Sequence, residues 1–94
     1  MDVSNREQRT MTQIRSHQEL ARILRKMYED AEKGRQKVAM IHLFGIKYAD
    51  EIRECDGSPA EIAELACGGK RSYGTEINKG CALADFVEIR PGVL

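Results

Sequence analysis

The sequence predicts an all-α chain, a single domain of four to five helices. Three observations carry that reading. Ser16-His17-Gln18-Glu19 and Ser58-Pro59-Ala60-Glu61 both spell Ser-x-x-Glu, the signature of a reciprocal helix cap. Apolar residues follow each cap at helical spacing. Strand signals are sparse: Phe86-Val87-Glu88-Ile89-Arg90 is the one β-like run, and no Asn-Gly or Asp-Gly turn beside it supplies a hairpin partner.

The elements follow in order. Residues 1–15 form a flexible N-terminal arm, polar and unpatterned. Its Arg6, Arg9 and Arg15 read as a solvated tail or as an arm for a minor groove. A helical domain over 16–90 begins at Ser16, with Leu20, Ile23, Leu24, Met27, Tyr28 and Ala31 on one face of the first helix. Arg22, Arg25, Lys26, Glu29 and Lys33 fill the opposite, solvated face, and the helix is expected to end near Gly34. The next helix is predicted as one piece from about residue 35 to residue 54. Val38, Ala39, Met40, Ile41, Leu43, Phe44 and Ile46 surround its first half, so it is expected to be buried all round as the core's central element, or in part as a dimer interface. A glycine inside a helix costs ~1 kcal/mol relative to alanine, which makes Gly45 a position of close backbone contact.

Residues 58–80 carry the functional signal. Ser58 caps a short helix, Pro59 suits its first turn, and Ile62, Leu65 and Ala66 face inward with the small Ala63. Gly68-Gly69 stops that helix. After a break of a few residues, Arg71 or Ser72 opens a second helix with Tyr73, Ile77 and Cys81 inward, and Gly80 reads as its stop. Two short helices around a tight turn are the geometry that lays a helix across a DNA major groove. Beyond Gly80, Leu83, Ala84, Phe86 and Val87 keep helical spacing and predict a last short helix over the motif, with a strand at 86–90 as the other reading.

Ala63-Glu64-Leu65-Ala66, the polar turn, and Ser72-Tyr73-Gly74-Thr75-Glu76-Ile77-Asn78-Lys79-Gly80 resemble the helix-turn-helix of phage-repressor-type bacterial regulators. In that family a small residue of the first helix packs on an Ile of the second. Cys67-Gly68-Gly69 makes the turn about a residue longer than the common pattern, and the flanking helices depart from that family's five-helix domain. Leu43 to Ala49 also resembles a helix found before the motif in a small bacterial helix-turn-helix-like group.

The resemblance implies a sequence-specific DNA-binding protein, a small transcriptional regulator. Double-stranded DNA is its expected partner, with the helix at 72–79 in the major groove. The residues allot the roles. Tyr73, Thr75 and Asn78 would meet base edges, Ser72 a base or a phosphate, and Lys70, Arg71 and Lys79 the phosphates. Glu76 has the wrong sign for a phosphate but can accept from cytosine N4.

Formal net charge is zero, which argues against strong nonspecific binding to nucleic acid. The charges are nonetheless unevenly spread: nine Lys/Arg against six Asp/Glu over 1–37, two against six over 38–66, and four against three over 67–94. So few cations near the motif favour a homodimer, which doubles the contacts over two half-sites. The acidic stretch Asp50 to Asp56, the apolar second helix and net neutrality support the other reading, a protein-interaction module, adaptor or inhibitor, on the same scaffold.

Catalysis has little support in the residues. Cys55, Cys67 and Cys81 include no Cys-x-x-Cys pair and, with His17 and His42, match no common zinc spacing. Reduced, partly buried thiols are expected, with His42 a hydrogen-bonded core or interface residue and His17 exposed. No Walker-type loop is present, and no metal or cofactor is expected. The chain has no apolar run long enough to span a membrane and no secretory-type N-terminus, so a cytoplasmic, non-enzymatic protein is expected.

Overall fold

Helix α1, His17–Asp30, starts where the Ser16 hydroxyl accepts from the Glu19 N–H at 3.1 Å and the Glu19 carboxylate accepts back from the Ser16 N–H. The computed structural model describes residues 16–31 and 34–94, without the side chains of 34 and 35. The predicted arm over 1–15, with its arginines, and Lys33 lie outside the described residues. Leu20, Ala21 and Leu24 bury one face of α1, and the helix stops at Asp30 with Ala31 extended, short of Gly34.

Helix α2 spans Gly34–Lys47 and helix α3 spans Ala49–Glu54, where one helix was expected. The two meet at Tyr48, whose φ of −111° and ψ of 22° leave the helical region. Bonds from Tyr48 N–H to Phe44 O and from Ile52 N–H to Tyr48 O carry the chain across, so the axis bends rather than ends. The bend seats Ala49 and Ile52 in the core, and Arg53 donates to the Cys81 carbonyl at 3.0 Å.

The apolar surround of α2 is not fully enclosed. Ile41, Phe44 and Gly45 are buried, Val38, Met40, Leu43 and Ile46 are half-buried, and Ala39 is exposed. The described elements are too few to encircle one helix. The segment after α5 partly covers the remainder as an irregular strap, with Leu94 bordering shallow grooves beside Met27, Met40 and Ile46.

Helix α4, Pro59–Ala66, repeats the cap of α1: Ser58 Oγ accepts from Glu61 N–H at 3.1 Å and Glu61 Oε1 accepts from Ser58 N–H at 2.9 Å. Such a cap is worth ~1 kcal/mol. Ile62, Ala63, Ala66 and Cys67 point inward, whereas Leu65, expected inward, is 49% exposed because it sits round the helix from that stripe. Gly68 and Gly69 turn the chain at φ +65° and +87°, with Gly69 N–H bonded to Glu64 O. A Cβ at either glycine would meet nothing within 4 Å, so the turn selects glycine for backbone conformation alone.

A 3-10 turn over Arg71–Tyr73 leads into helix α5, Gly74–Leu83. Gly80, read as a stop, lies buried inside α5. There it crosses α2 so closely that a Cβ on it would run into the His42 carbonyl and stand 2.9 Å from Gly45 Cα. A Cβ on Gly45 would reach Ile77 O at 2.5 Å and Cys81 N at 2.9 Å. The expected close contact at Gly45 is therefore with the motif's own second helix. Packing thus overrides the glycine's preference for a helix end.

The predicted last helix is not formed. Ala84 N–H is shared between Gly80 O and Cys81 O, and the N–H groups of Asp85 and Phe86 reach back only three residues, so α5 tightens and runs out. Phe86 is 83% exposed rather than packed over the motif. No strand occurs among the described residues, so the strand reading of 86–90 is set aside as well.

The all-α expectation holds: the described residues form five α-helices, with α5 packed on α2 and α4, and α1 packed on α2 and α4.

Candidate nucleic-acid interface

Helix α5 is sharply two-sided. Gly74, Ile77, Gly80 and Cys81 are buried, with Tyr73 half-buried beside them, while Ser72, Thr75, Asn78, Lys79 and Ala82 are exposed. Ile77 and Ala63 of α4 are both fully buried in one cluster, as the motif's packing requires. Gly74 sets the angle at which the helices meet, since a Cβ there would stand 2.8 Å from Ala60 Cα at the start of α4. The outward face is polar and exposed at Thr75 and Asn78, three residues apart on one side of the helix, with Asn78 bordering a groove beside Gly57, Ser58 and Pro59.

Six of the seven residues assigned to DNA from sequence lie on the surface. Tyr73 is the exception: its ring leans against Tyr28 of α1, with centroids 6.2 Å apart and planes at 56°. Sequence reading missed Ala82, which extends the exposed face one turn past Asn78. The i to i+4 spacing carried the signal, but reading Gly80 as a stop hid it.

The cations divide into two groups. Arg71 is paired with Glu64 of α4 at 2.7 Å and Lys79 with Glu76 at 3.3 Å. Lys70 has no carboxylate partner among the described residues and lies 5.5 Å from the Tyr73 ring centroid. Exposed ion pairs hold by at most ~1 kcal/mol, so a phosphate can take either paired side chain over.

Glu76 faces α2 rather than the open side. His42 Nε2 donates to its Oε1 at 2.7 Å, and Lys79 holds its other oxygen. His42 is thus hydrogen-bonded, as the sequence suggested, but half-buried where α2 meets α5 rather than in the core. These bonds, the one from His42 first, hold the Glu76 carboxyl below its ordinary 4.5. A lowered carboxyl pKa stabilises the fold above the unfolded value and loses that contribution as pH falls through the folded one. The thermal midpoint should therefore drop as pH falls below about 4.5, and Glu76→Gln should flatten part of that dependence. An unchanged pH profile in the variant would show that the α2–α5 tie contributes nothing.

The remaining titratable groups bear on the scaffold. Asp56, before α4, accepts from both the N–H and Nδ1 of His17, at 3.0 and 2.7 Å, which lowers its pKa. That tie and contact with Gly57 leave the His17 side chain 20% exposed, more covered than expected. Burial pushes the Cys67 thiol up to about 11, and raises Cys81 as well. Thiols held protonated in this way are poor nucleophiles and poor metal ligands. No cluster of three or more His, Cys, Asp or Glu is placed to hold a metal among the described residues.

Two short helices joined by a glycine turn, the second seated by its Ile and open along a polar face, define a helix-turn-helix domain. Residues 16–90 match the family described as HTH-like domain, and the chain belongs to that family. No curated protein and no solved structure matches the chain.

Among the described residues, no helix is long and apolar enough to cross a membrane.

Proposed function

We propose that this protein binds double-stranded DNA sequence-specifically as a small cytoplasmic transcriptional regulator, without catalysis and without a cofactor. The motif's phage-repressor-like residues enter the major groove in this reading. The observation that carries it is the outward face of α5, where Thr75, Asn78 and Lys79 stand clear of the core, with Ser72 exposed in the 3-10 turn that leads into it. Asn78 reads an adenine, Thr75 a neighbouring base edge, and Ser72 a base or phosphate. Lys70, Arg71 and Lys79 hold phosphates. Tyr73, half-buried against Tyr28, is the assigned base contact that the fold favours least. With zero net charge and two of its three motif cations internally paired, one copy binds weakly, and a homodimer supplies the second half-site.

Selection from a randomised duplex pool, with light scattering for oligomeric state, tests this. Enrichment of a roughly palindromic site by a dimer is the expected result. On that site Asn78→Ala should cost ~1–3 kcal/mol at one base position, while Lys79→Ala should weaken all sequences alike. Equal losses on every sequence from both variants would remove the assignment of roles.

The protein-interaction reading draws on the exposed Leu65 and Phe86. Absence of enrichment, with weak binding that vanishes by physiological salt, would favour it.

A further inference from the structure

Four cations surround the N-terminal end of the motif's second helix and its outer face, and their environments differ. Arg71 and Lys79 are matched to Glu64 and Glu76. Lys37 of α2 and Lys70 of the turn have no carboxylate partner among the described residues, and both converge on one pair of tyrosines. Lys37 Nζ donates to the Tyr28 carbonyl at 2.8 Å and stands 4.5 Å from the Tyr28 ring centroid. Lys70 Nζ stands 5.5 Å from the ring centroid of Tyr73, which leans on Tyr28. Both lysines are near enough to act electrostatically on the buried Cys67 thiol beneath them.

This corner joins the end of α1, the start of α2 and the turn of the motif, so three elements deliver its groups. The carbonyl and the ring fix Lys37 but occupy only part of its ammonium, which carries three donors. Two cations without a carboxylate partner among the described residues, held over a pair of tyrosine rings, form a receptor for the phosphodiester backbone. Phosphates are contacted by Lys and Tyr side chains of this kind, and one strand presents a charge about every 3.4 Å along the duplex axis.

We infer that Lys37 and Lys70, set around the Tyr28–Tyr73 pair, form the main phosphate-binding site for duplex DNA, at the corner of α1, α2 and the motif turn. The inference rests on the DNA-binding reading and adds Lys37, which lies outside the motif. Arg71 and Lys79 must exchange a carboxylate for a phosphate, whereas Lys37 and Lys70 give up no carboxylate of the described residues.

The test is binding of the pool-selected duplex, followed by fluorescence anisotropy across a salt series for the wild type, Lys37→Gln, Lys70→Gln and Lys37→Arg. Each Gln variant should reduce the slope of log affinity against log salt by about 1 with base preference unchanged, and Lys37→Arg should retain the slope. Lys37→Gln also removes the bond to the Tyr28 carbonyl, so its thermal midpoint is measured alongside. The Lys70 side chain makes no hydrogen bond within the described residues, so Lys70→Gln reports on the site without that complication. Wild-type slopes in both Gln variants, with the wild type still selecting a site, would overturn this inference and leave the DNA-binding reading standing. Failure of the wild type to select any site would overturn both.

Discussion

Gly80→Ala should destabilise the protein by ~2 kcal/mol even though alanine is the better helix former. In an exposed helix the exchange would gain about 1 kcal/mol. Here the new methyl meets the His42 carbonyl and Gly45 Cα of α2, both backbone, and no rotamer change can move them aside. Overpacking against fixed atoms costs ~1–3 kcal/mol or more, and the upper end applies because the helices themselves must part. A domain of this size should then melt about 8–16 °C lower. Gly45→Ala faces the same crossing from the other side, so the double variant should lose less than the two single losses combined. Once the helices are spread for one methyl, room exists for the second. A raised melting temperature for Gly80→Ala would mean that α2 and α5 do not touch there.

Phe44→Ala should cost more, ~3–5 kcal/mol, against a total stability of ~5–15 kcal/mol for a chain of this class. Phe44 is fully buried in the core cluster, and its ring packs on Tyr48 with centroids 5.4 Å apart. Truncation leaves a void bordered by helices that are tied elsewhere by caps and glycine contacts, so the cavity cannot collapse fully. Urea denaturation measures the loss, and Phe44→Leu, which refills most of the space, should lose much less. A loss below ~1 kcal/mol for Phe44→Ala would place the ring outside the core.

The parts of the fold that were legible in sequence are those fixed locally. Ser16 with Glu19, and Ser58 with Glu61, set helix starts because both partners of each cap lie within one turn. The inward stripe of Tyr73, Ile77 and Cys81 followed from spacing in the same way. What failed depended on distant partners. Gly80 looks like a stop until Gly45, far away in the chain, is seen to need its missing side chain. Tyr48 carries no helix-breaking signal, and the bend there accompanies contacts from α3 to α5. Leu83 to Val87 keep a helical period, yet no surface receives Phe86, and α5 unwinds instead.

The candidate site divides along the same line. Exposure of Ser72, Thr75 and Asn78 was readable from helix geometry. The pairing of Arg71 with Glu64 and the arrival of Lys37 beside Tyr28 required the folded chain.

The crossing of α2 over α5 also has a mechanical meaning. Most helix pairs are separated by a layer of side chains, which can change rotamer and absorb small displacements like a soft gasket. Between Gly45 and Gly80 backbone meets backbone, so that compliance is missing at the contact. The polar face of α5 and the outer side of α2 therefore behave as two surfaces of one stiff plate. A load placed on α2 tilts the α5 face with it.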